Sequence, residues 1–203
     1  MNSRPVVVVL AAGRGSRYGD KGDKLEQLVD GVPMLSRTLR NVLASQLDVV
    51  VVTSDAMADL ARRSVAARDL VVMSPTAPSG MGYSIAAGVG ARAQASGWLI
   101  MPADMSLVRP ETLGVVAAAL AHHPVVYPQH RGQRGHPVGF SAELFSELVT
   151  LTGNEGARRL LARYPSHAVD VDDPGVLIDV DTPDDLRALA DRSATTPGTS
   201  AGG

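Results

Sequence analysis

The 203-residue sequence contains no cysteine. That excludes a disulfide framework, a Cys-based zinc site and a thiol nucleophile, and it fits a reducing compartment, so a cytoplasmic location is the expectation. Aromatic residues are scarce at 3%, while the chain is 45% hydrophobic overall, so the core must be assembled from Val, Leu, Ile, Ala and Met. Excess charge of one sign is also missing: 19 basic residues stand against 21 acidic ones, for a formal net charge of -2. A broad positive field of the kind nucleic-acid binders use is therefore not expected, and any phosphate recognition should be local. No apolar run approaches the roughly 20 residues of a membrane span, and Met1 to Leu10 is too short for a signal peptide's apolar region plus cleavage site. Neither a nucleic acid nor a membrane is an expected partner.

What is present is an alternation of short apolar runs with longer segments of helical period, the pattern of an α/β fold with a mostly parallel sheet. Strands are predicted at Pro5 to Ala11, Asp48 to Thr53, Leu70 to Met73, Trp98 to Pro102, Pro124 to Tyr127, Pro137 to Phe140, His167 to Val171 and Val176 to Val180, with the first four central. Helices are predicted at Pro33 to Gln46, Asp55 to Ala66, Gly82 to Ala95, Pro110 to Ala121, Ala142 to Leu151, Glu155 to Tyr164 and Pro183 to Arg192. Pro33, Pro110 and Pro183 fall where the fixed φ and missing donor of proline suit a first turn. Residues 1–192 read as one domain. Ser193 to Gly203, rich in Ser, Thr, Gly and Pro, reads as a flexible tail.

The strongest local signal is Val6 to Arg17, an apolar strand running into Gly13, Arg14, Gly15, Ser16 and Arg17. Ligands of open α/β sheets bind beyond strand carboxyl ends, which is where this loop falls. Gly13 and Gly15 let backbone N–H groups approach an anion, and Arg17 and Lys24 can neutralise phosphate. No Gly-Lys-Ser/Thr triplet follows, so this is not a Walker A loop. A dinucleotide fold is the closer rival, with Gly13, Gly15 and Gly19 in the loop and Asp55 after the second strand. It requires a helix that opens at the glycines, whereas Gly19, Gly22, Gly31 and Pro33 interrupt helical sequence until about Pro33. A long charged loop suited to a triphosphate remains.

Carboxylates form a second group. Asp104 follows the apolar run Trp98 to Pro102 and could hold Mg2+, an ion that takes oxygen ligands and bridges protein to phosphate. Asp179 and Asp181 lie two apart in extended sequence and face one side, although Asp181 could equally cap the following helix. His122 and His123 suit a helix C-terminus, and Arg158, Arg159 and Arg163 read as a solvated helix face.

Taken together, LAAGRGSR at Leu10 to Arg17, Lys24, PADM at Pro102 to Met105, RGHPVGF at Arg134 to Phe140 and IDVDTPDDL at Ile178 to Leu186 resemble the MobA-like nucleotidyltransferases. Within them the molybdenum cofactor cytidylyltransferase group is most similar. The resemblance runs from about Val6 to Leu189. It implies a three-layer, Rossmann-like fold of the glycosyltransferase-A type. It also implies that Leu10, Ala11, Ala12, Gly13, Gly15, Ser16, Arg17 and Lys24 contact the nucleotide, with Gly80, Gly82 and Ser84 near base and ribose. Asp104 joins that nucleotide site and shares Mg2+ with Asp181, and Arg17, Lys24 and Asp104 are the catalytic group. His136 is placed on the acceptor side.

The implied reaction is transfer of CMP from CTP to the terminal phosphate of molybdopterin with release of pyrophosphate, a molybdenum hydroxylase apoenzyme being the recipient of the product. Ala12 stands where guanylyl members usually carry a second glycine, which favours CTP. The alternatives are a molybdopterin guanylyltransferase, a nucleotidyltransferase acting on another phosphorylated acceptor such as a sugar phosphate, and a nucleotide- or cofactor-binding module without turnover. Three departures bear on the acceptor or the loop. The loop from Tyr18 is longer than usual, so that Lys21 could share the task of Lys24. Ser106 replaces a frequent proline, and Asn154 a frequent aspartate.

Overall fold

A computed structural model describes residues 4–13 and 23–179. Its centre is built from valine runs. β1 (Val6–Ala11), β4 (Asp48–Ser54) and β6 (Gly97–Pro102) lie side by side and parallel, β1 in the middle, with Val8 opposite both Val50 and Ile100. Successive side chains of a strand point to opposite faces. Val7, Val9, Val49, Val51, Leu99 and Met101 therefore enter one core, and Val6, Val8, Val50, Val52, Trp98 and Ile100 a second one on the other face. A sheet buried on both faces reads as continuous apolar sequence, as these strands do.

The other strands are β5 (Leu70–Met73), β7 (Val125–His130), β8 (Gln133–Arg134), β9 (Val138–Ser141) and β10 (Ser166–Asp170), with the two-residue pair β2 (Leu28–Val29) and β3 (Val32–Pro33) apart from the main sheet. Among the described residues the main sheet runs β10-β7-β9-β6-β1-β4-β5, and β8 pairs with β7. It is mostly parallel. β9 is the exception, antiparallel to both β6 and β7.

Helices cover both faces. α1 (Met34–Ala44), α2 (Asp55–Arg62) and α4 (Pro110–Ala119) send Leu35, Leu39, Met57 and Leu113 into the first core. α3 (Met81–Gly90), α5 (Phe145–Leu148) and α6 (Arg158–Arg163) lie over the second, with Ile85, Leu148 and Leu160. Gly88 is small for a packing reason: a Cβ there would lie 2.4 Å from Val8 Cγ1 and 2.9 Å from Val52 Cγ2, so α3 rests directly on β1 and β4. Trp98 and Phe145 pack together in this layer, with ring centroids 5.7 Å apart. Among the described residues no helix is long and apolar enough to cross a membrane.

The fold class is the expected mixed α/β, and several elements differ in detail. Leu70 to Met73, expected to be central, is an edge strand, because nothing among the described residues pairs beyond it. The strand expected at Val176 to Val180 is instead a 3-10 turn at Pro174–Leu177. Its N-cap Asp173 accepts from Gly175 N, Pro174 occupies the first turn, and Val176 is fully buried. Ala142 to Leu151 divides into a 3-10 turn at Ala142–Leu144 and the short α5. The helix expected from Glu155 starts only at Arg158, since Gly156 takes a positive φ of 57°.

The segment read as interrupted loop holds the β2–β3 hairpin. Asp30 and Gly31 both have positive φ, the requirement of a two-residue I′ turn. The segment expected to be a helix at Pro183 to Arg192, residue 180 and the segment expected to be a tail at Ser193 to Gly203 lie outside the described residues.

Candidate active site at the carboxyl ends of the central strands

Because β1, β4 and β6 are parallel, the residues that follow them emerge at one end of the sheet: Ala12 and Gly13, Asp55 and Ala56, Ala103 to Met105. β9 runs the opposite way, so the turn that precedes it, Gly135 to Pro137, comes to the same end, and Val138 begins beside Ile100. A cleft of about 1660 Å³ opens there. Lys24, Asp104, Ser84, Arg134, His136 and Arg158 all line it.

Its centre is an ion pair between residues far apart in sequence: Lys24 Nζ lies 2.6 Å from Asp104 Oδ2, and both side chains are largely shielded, with 17% and 15% exposure. Each partner is held from below. Lys24 opens a 3-10 turn, Lys24–Glu26, capped by the Asp23 carboxylate accepting from Leu25 N at 2.9 Å, and Leu25 is anchored in the core. Met34 N donates to Gln27 O, which ties this turn to the start of α1. On the other side, Ala103 N donates to Leu10 O, continuing the β1–β6 register beyond Pro102. Thr38 Oγ1 of α1 donates to Ala103 O at 2.7 Å, and Asn41 Nδ2 to Ser106 O and Val108 O, both at 3.1 Å. α1 thus clamps the loop that carries Asp104. Ser106, found where proline was the common residue, is fully buried with its hydroxyl unpartnered among the described residues.

Leu10, Ala12 and Gly13 border the cleft. Ala11 does not: its side chain is buried in the first core. A Cβ on Gly13 would meet no described atom within 4 Å, so packing alone does not demand glycine there. In the Gly/Ser segment, Gly80 and Ser84 line the cleft, and Gly82 is buried behind it. A Cβ on Gly82 would sit 2.6 Å from Thr152 O, and one on Gly80 2.4 Å from Gly153 O. Gly82 N donates to Gly153 O, so both glycines also serve the seating of α3 on the 152–154 loop. Gly15, Ser16, Arg17, Lys21 and Asp181 lie outside the described residues.

The turn carrying His136 is fixed by a strap that sequence reasoning misread as a strand. Asp173 is 2% exposed and accepts from Arg109 N at 2.9 Å, Thr112 Oγ1 at 2.7 Å and Gly175 N at 3.0 Å, which satisfies donors in the first turn of α4. The strap is pressed close, since a Cβ on Gly175 would lie 2.2 Å from Leu107 O and one on Gly135 2.5 Å from Val176 O. His136 N donates to Val176 O. Although His136 is exposed along the cleft, loss of water around its ring lowers its pKa below the ordinary value. The Asp104 and Asp179 carboxylates oppose that shift, and Arg134 reinforces it.

Arg158, set aside in the sequence as part of a solvated face, borders the cleft with Ala157 and Leu161 at helical spacing. Arg159 and Arg163 turn away and pair with Glu155 and Glu147. Thr38, Asn41, Asp173 and Arg134 carried no role in the sequence reading. For the first three the missing information is tertiary, because each acts on backbone more than 60 residues distant.

Divalent-metal chemistry fits one feature closely. Asp104 Oδ1 is buried and has no hydrogen-bond partner among the described residues, while Oδ2 carries Lys24. An orphaned carboxylate oxygen in a polar cleft is a costly arrangement unless a cation or donor arrives. No group of three or more His, Asp or Glu side chains converges among the described residues. Mg2+ commonly needs only one or two carboxylates, the remaining ligands being water and substrate phosphate.

The chain is similar to known proteins over most of its length. Residues 7–169 match the MobA-like NTP transferase domain. The chain is 31% identical over 191 residues to the purine catabolism protein PucB of Bacillus subtilis, covering 88% of this chain and 92% of that one. It is 22% identical over 186 residues to the molybdenum cofactor cytidylyltransferase of Escherichia coli, covering 91% and 95%. Rv0371c of Mycobacterium tuberculosis superposes with a TM-score of 0.78 at 28% identity over 93% of this chain and 99% of that one, and its manganese complex with a TM-score of 0.74. With a doubly covered parallel sheet, a ligand-sized cleft at its carboxyl end and a family match over most of its length, the chain belongs to the MobA-like NTP transferases and is a nucleotidyltransferase by family.

Proposed function

We propose that this chain transfers CMP from CTP to the terminal phosphate of a molybdopterin-type acceptor, with release of pyrophosphate and dependence on Mg2+. The observation that carries the reading is the Lys24–Asp104 pair at the mouth of β1 and β6, with Asp104 Oδ1 buried and without a hydrogen-bond partner among the described residues. The triphosphate would lie over Ala12 and Gly13, where no described atom comes within 4 Å of a Cβ built on Gly13, and the nucleoside would extend toward Gly80 and Ser84. Arg17 and Asp181 complete the triphosphate and metal sites in this reading, as the sequence resemblance implies.

In the reaction, an acceptor phosphate oxygen bonds to the α-phosphorus as the bond to the bridging oxygen of pyrophosphate breaks. The attacking oxygen is already an anion, so no protein nucleophile and no general base are needed. What the protein supplies is position and charge. Lys24, moved from Asp104 to a phosphate oxygen, neutralises charge that grows on the leaving pyrophosphate. Asp104, freed of Lys24, would hold a divalent ion, whose charge would offset the negative charge of the phosphates. His136, largely neutral at pH 7, faces the incoming acceptor and offers a hydrogen bond without adding charge.

A second reading keeps the chemistry and changes the acceptor. PucB is described by purine catabolism, so membership of this family does not restrict the acceptor to molybdopterin. Guanylyl transfer to molybdopterin and transfer to a sugar phosphate are the specific alternatives. Pyrophosphate release, measured for each nucleoside triphosphate against molybdopterin and a sugar 1-phosphate, separates them. The expected result is turnover with CTP and molybdopterin at least about tenfold above every other pair. Higher turnover with GTP, or with the sugar phosphate, replaces the cytidylyl or the molybdopterin assignment.

A further inference from the structure

Two guanidinium groups on the cleft wall are not used by the triphosphate site. Arg134 ends β8, and its guanidinium carbon lies 4.4 Å above the centre of the Tyr127 ring. Arg158 begins α6 and faces the same cleft. Among the described residues neither forms an ion pair with a carboxylate, whereas Arg159 and Arg163 beside them both do. Cations left unpaired along a cleft invite an anion.

The two arginines stand apart from the elements that carry Lys24 and Asp104. The phosphate-side elements follow β1 and β6, and Arg134 and Arg158 come from elements beyond β6: β8 pairs with β7, and α6 follows β9 in the chain. The cleft lining also includes the apolar Val138, Ala157 and Leu161. Its position over Tyr127 restrains the Arg134 guanidinium, and the displaced water lowers its pKa. A planar guanidinium held in this way presents paired N–H donors suited to two phosphate oxygens.

We propose that Arg134 and Arg158 together bind the acceptor's phosphomonoester, setting the specificity of this site for a dianionic acceptor. The inference rests on the nucleotidyltransferase reading above and adds the residues that select the second substrate. The pair answers a physical need of that reaction, since acceptor phosphate and triphosphate repel one another as they approach. Cations on the acceptor side lower that repulsion without contacting the nucleotide.

The test uses phenyl phosphate as the probe, with the nucleotide site filled by Mg2+ and a CTP analogue carrying a methylene bridge between its α- and β-phosphorus atoms. Dissociation constants of both ligands are measured by calorimetry for the wild type, R134Q, R158Q and the control R159Q, with melting curves confirming that each variant is folded. R134Q and R158Q should each weaken phenyl phosphate by about tenfold or more, change nucleotide affinity by less than about twofold, and recover in part as R134K and R158K. R159Q should leave both constants unchanged.

Absence of phenyl phosphate binding to the nucleotide-loaded wild type overturns the proposal, as does a loss in only one of the two Gln variants. Equal weakening of nucleotide and probe assigns these arginines to the triphosphate and also overturns it. Failure of the nucleotide reading is seen separately, as failure of the wild type to bind the Mg2+–nucleotide analogue at all.

Discussion

Asp104 and Lys24 stand 80 residues apart in sequence and 2.6 Å apart in space, and one carboxylate carries two tasks. Oδ2 takes the lysine, and Oδ1 is buried without a described partner. Asp104→Asn keeps the shape and an acceptor for Lys24 while removing the charge that a divalent cation requires. Turnover should fall by about 10²-fold or more with a Tm close to wild type, measured by pyrophosphate release and thermal melting. Retention of near-normal turnover removes Asp104 from the reaction. His136 gives a pH signature. Its folded pKa lies below the ordinary 6.5, because loss of water disfavours the imidazolium more than Asp104 and Asp179 favour it. The neutral ring's contribution to stability is therefore complete above pH 6.5 and is lost as pH falls through the folded value. The gap in Tm between wild type and His136→Gln should shrink from pH 7.5 to pH 5. A gap that widens on acidification would show an imidazolium that is stabilised in the fold.

At the scale of elements, the strap at 172–177 connects stability to the site. Asp173 reaches across to the first turn of α4, where Arg109 N and Thr112 Oγ1 donate to it, and its other oxygen closes the turn at Gly175. Asp173→Ala leaves these donors unsatisfied in a buried place. The loss should be about 3 kcal/mol, combining a lost helix cap with stranded donors. For a chain of this length that lowers Tm by about 6–12 °C. Activity should fall as well, in excess of any unfolded fraction, because Val176 O positions the backbone of His136. A variant with lowered Tm and unchanged turnover at a temperature where it is folded would separate the strap from the site. α1 plays the corresponding part on the other side, where Thr38 and Asn41 hold the backbone around Asp104.

At the scale of the molecule, the cleft is walled by elements from both halves of the chain, and a hydrophobic core lies on each face of the sheet. A ligand that spans those elements stabilises the folded state by mass action. Mg2+ with CTP at about 100 times its dissociation constant should add about 2.7 kcal/mol, raising Tm by about 5–10 °C. Under the cytidylyl assignment CTP gives the larger shift at equal concentration and GTP the smaller. Ala12→Gly should narrow the difference, since one methyl group in a pocket discriminates by only about 1–3 kcal/mol. Chelation of the metal should abolish most of the shift. Equal shifts for CTP and GTP in the wild type would remove Ala12 from base selection.

The periodicity of the chain by itself determined the layer architecture. Alternate valines in Val6 to Val9 and Val49 to Val52 belong to opposite cores because strand side chains alternate, and no tertiary information is needed to see it. The positions of Gly13 just past β1 and of Asp104 just past β6 were equally legible, since both follow directly on the apolar runs that form those strands. Only the tertiary structure decided which residues meet. Leu70 to Met73 has the apolar composition of a central strand, yet it stands at the edge, because edge or centre depends on what pairs beyond it. Val176 reads as strand and is a buried 3-10 residue, because Asp173 satisfies the turn and α4 together. Arg158 and Arg159 are adjacent and chemically identical in sequence. One faces the cleft and the other pairs with Glu155, since neighbouring helical residues point in different directions and only packing settles which of them the site receives.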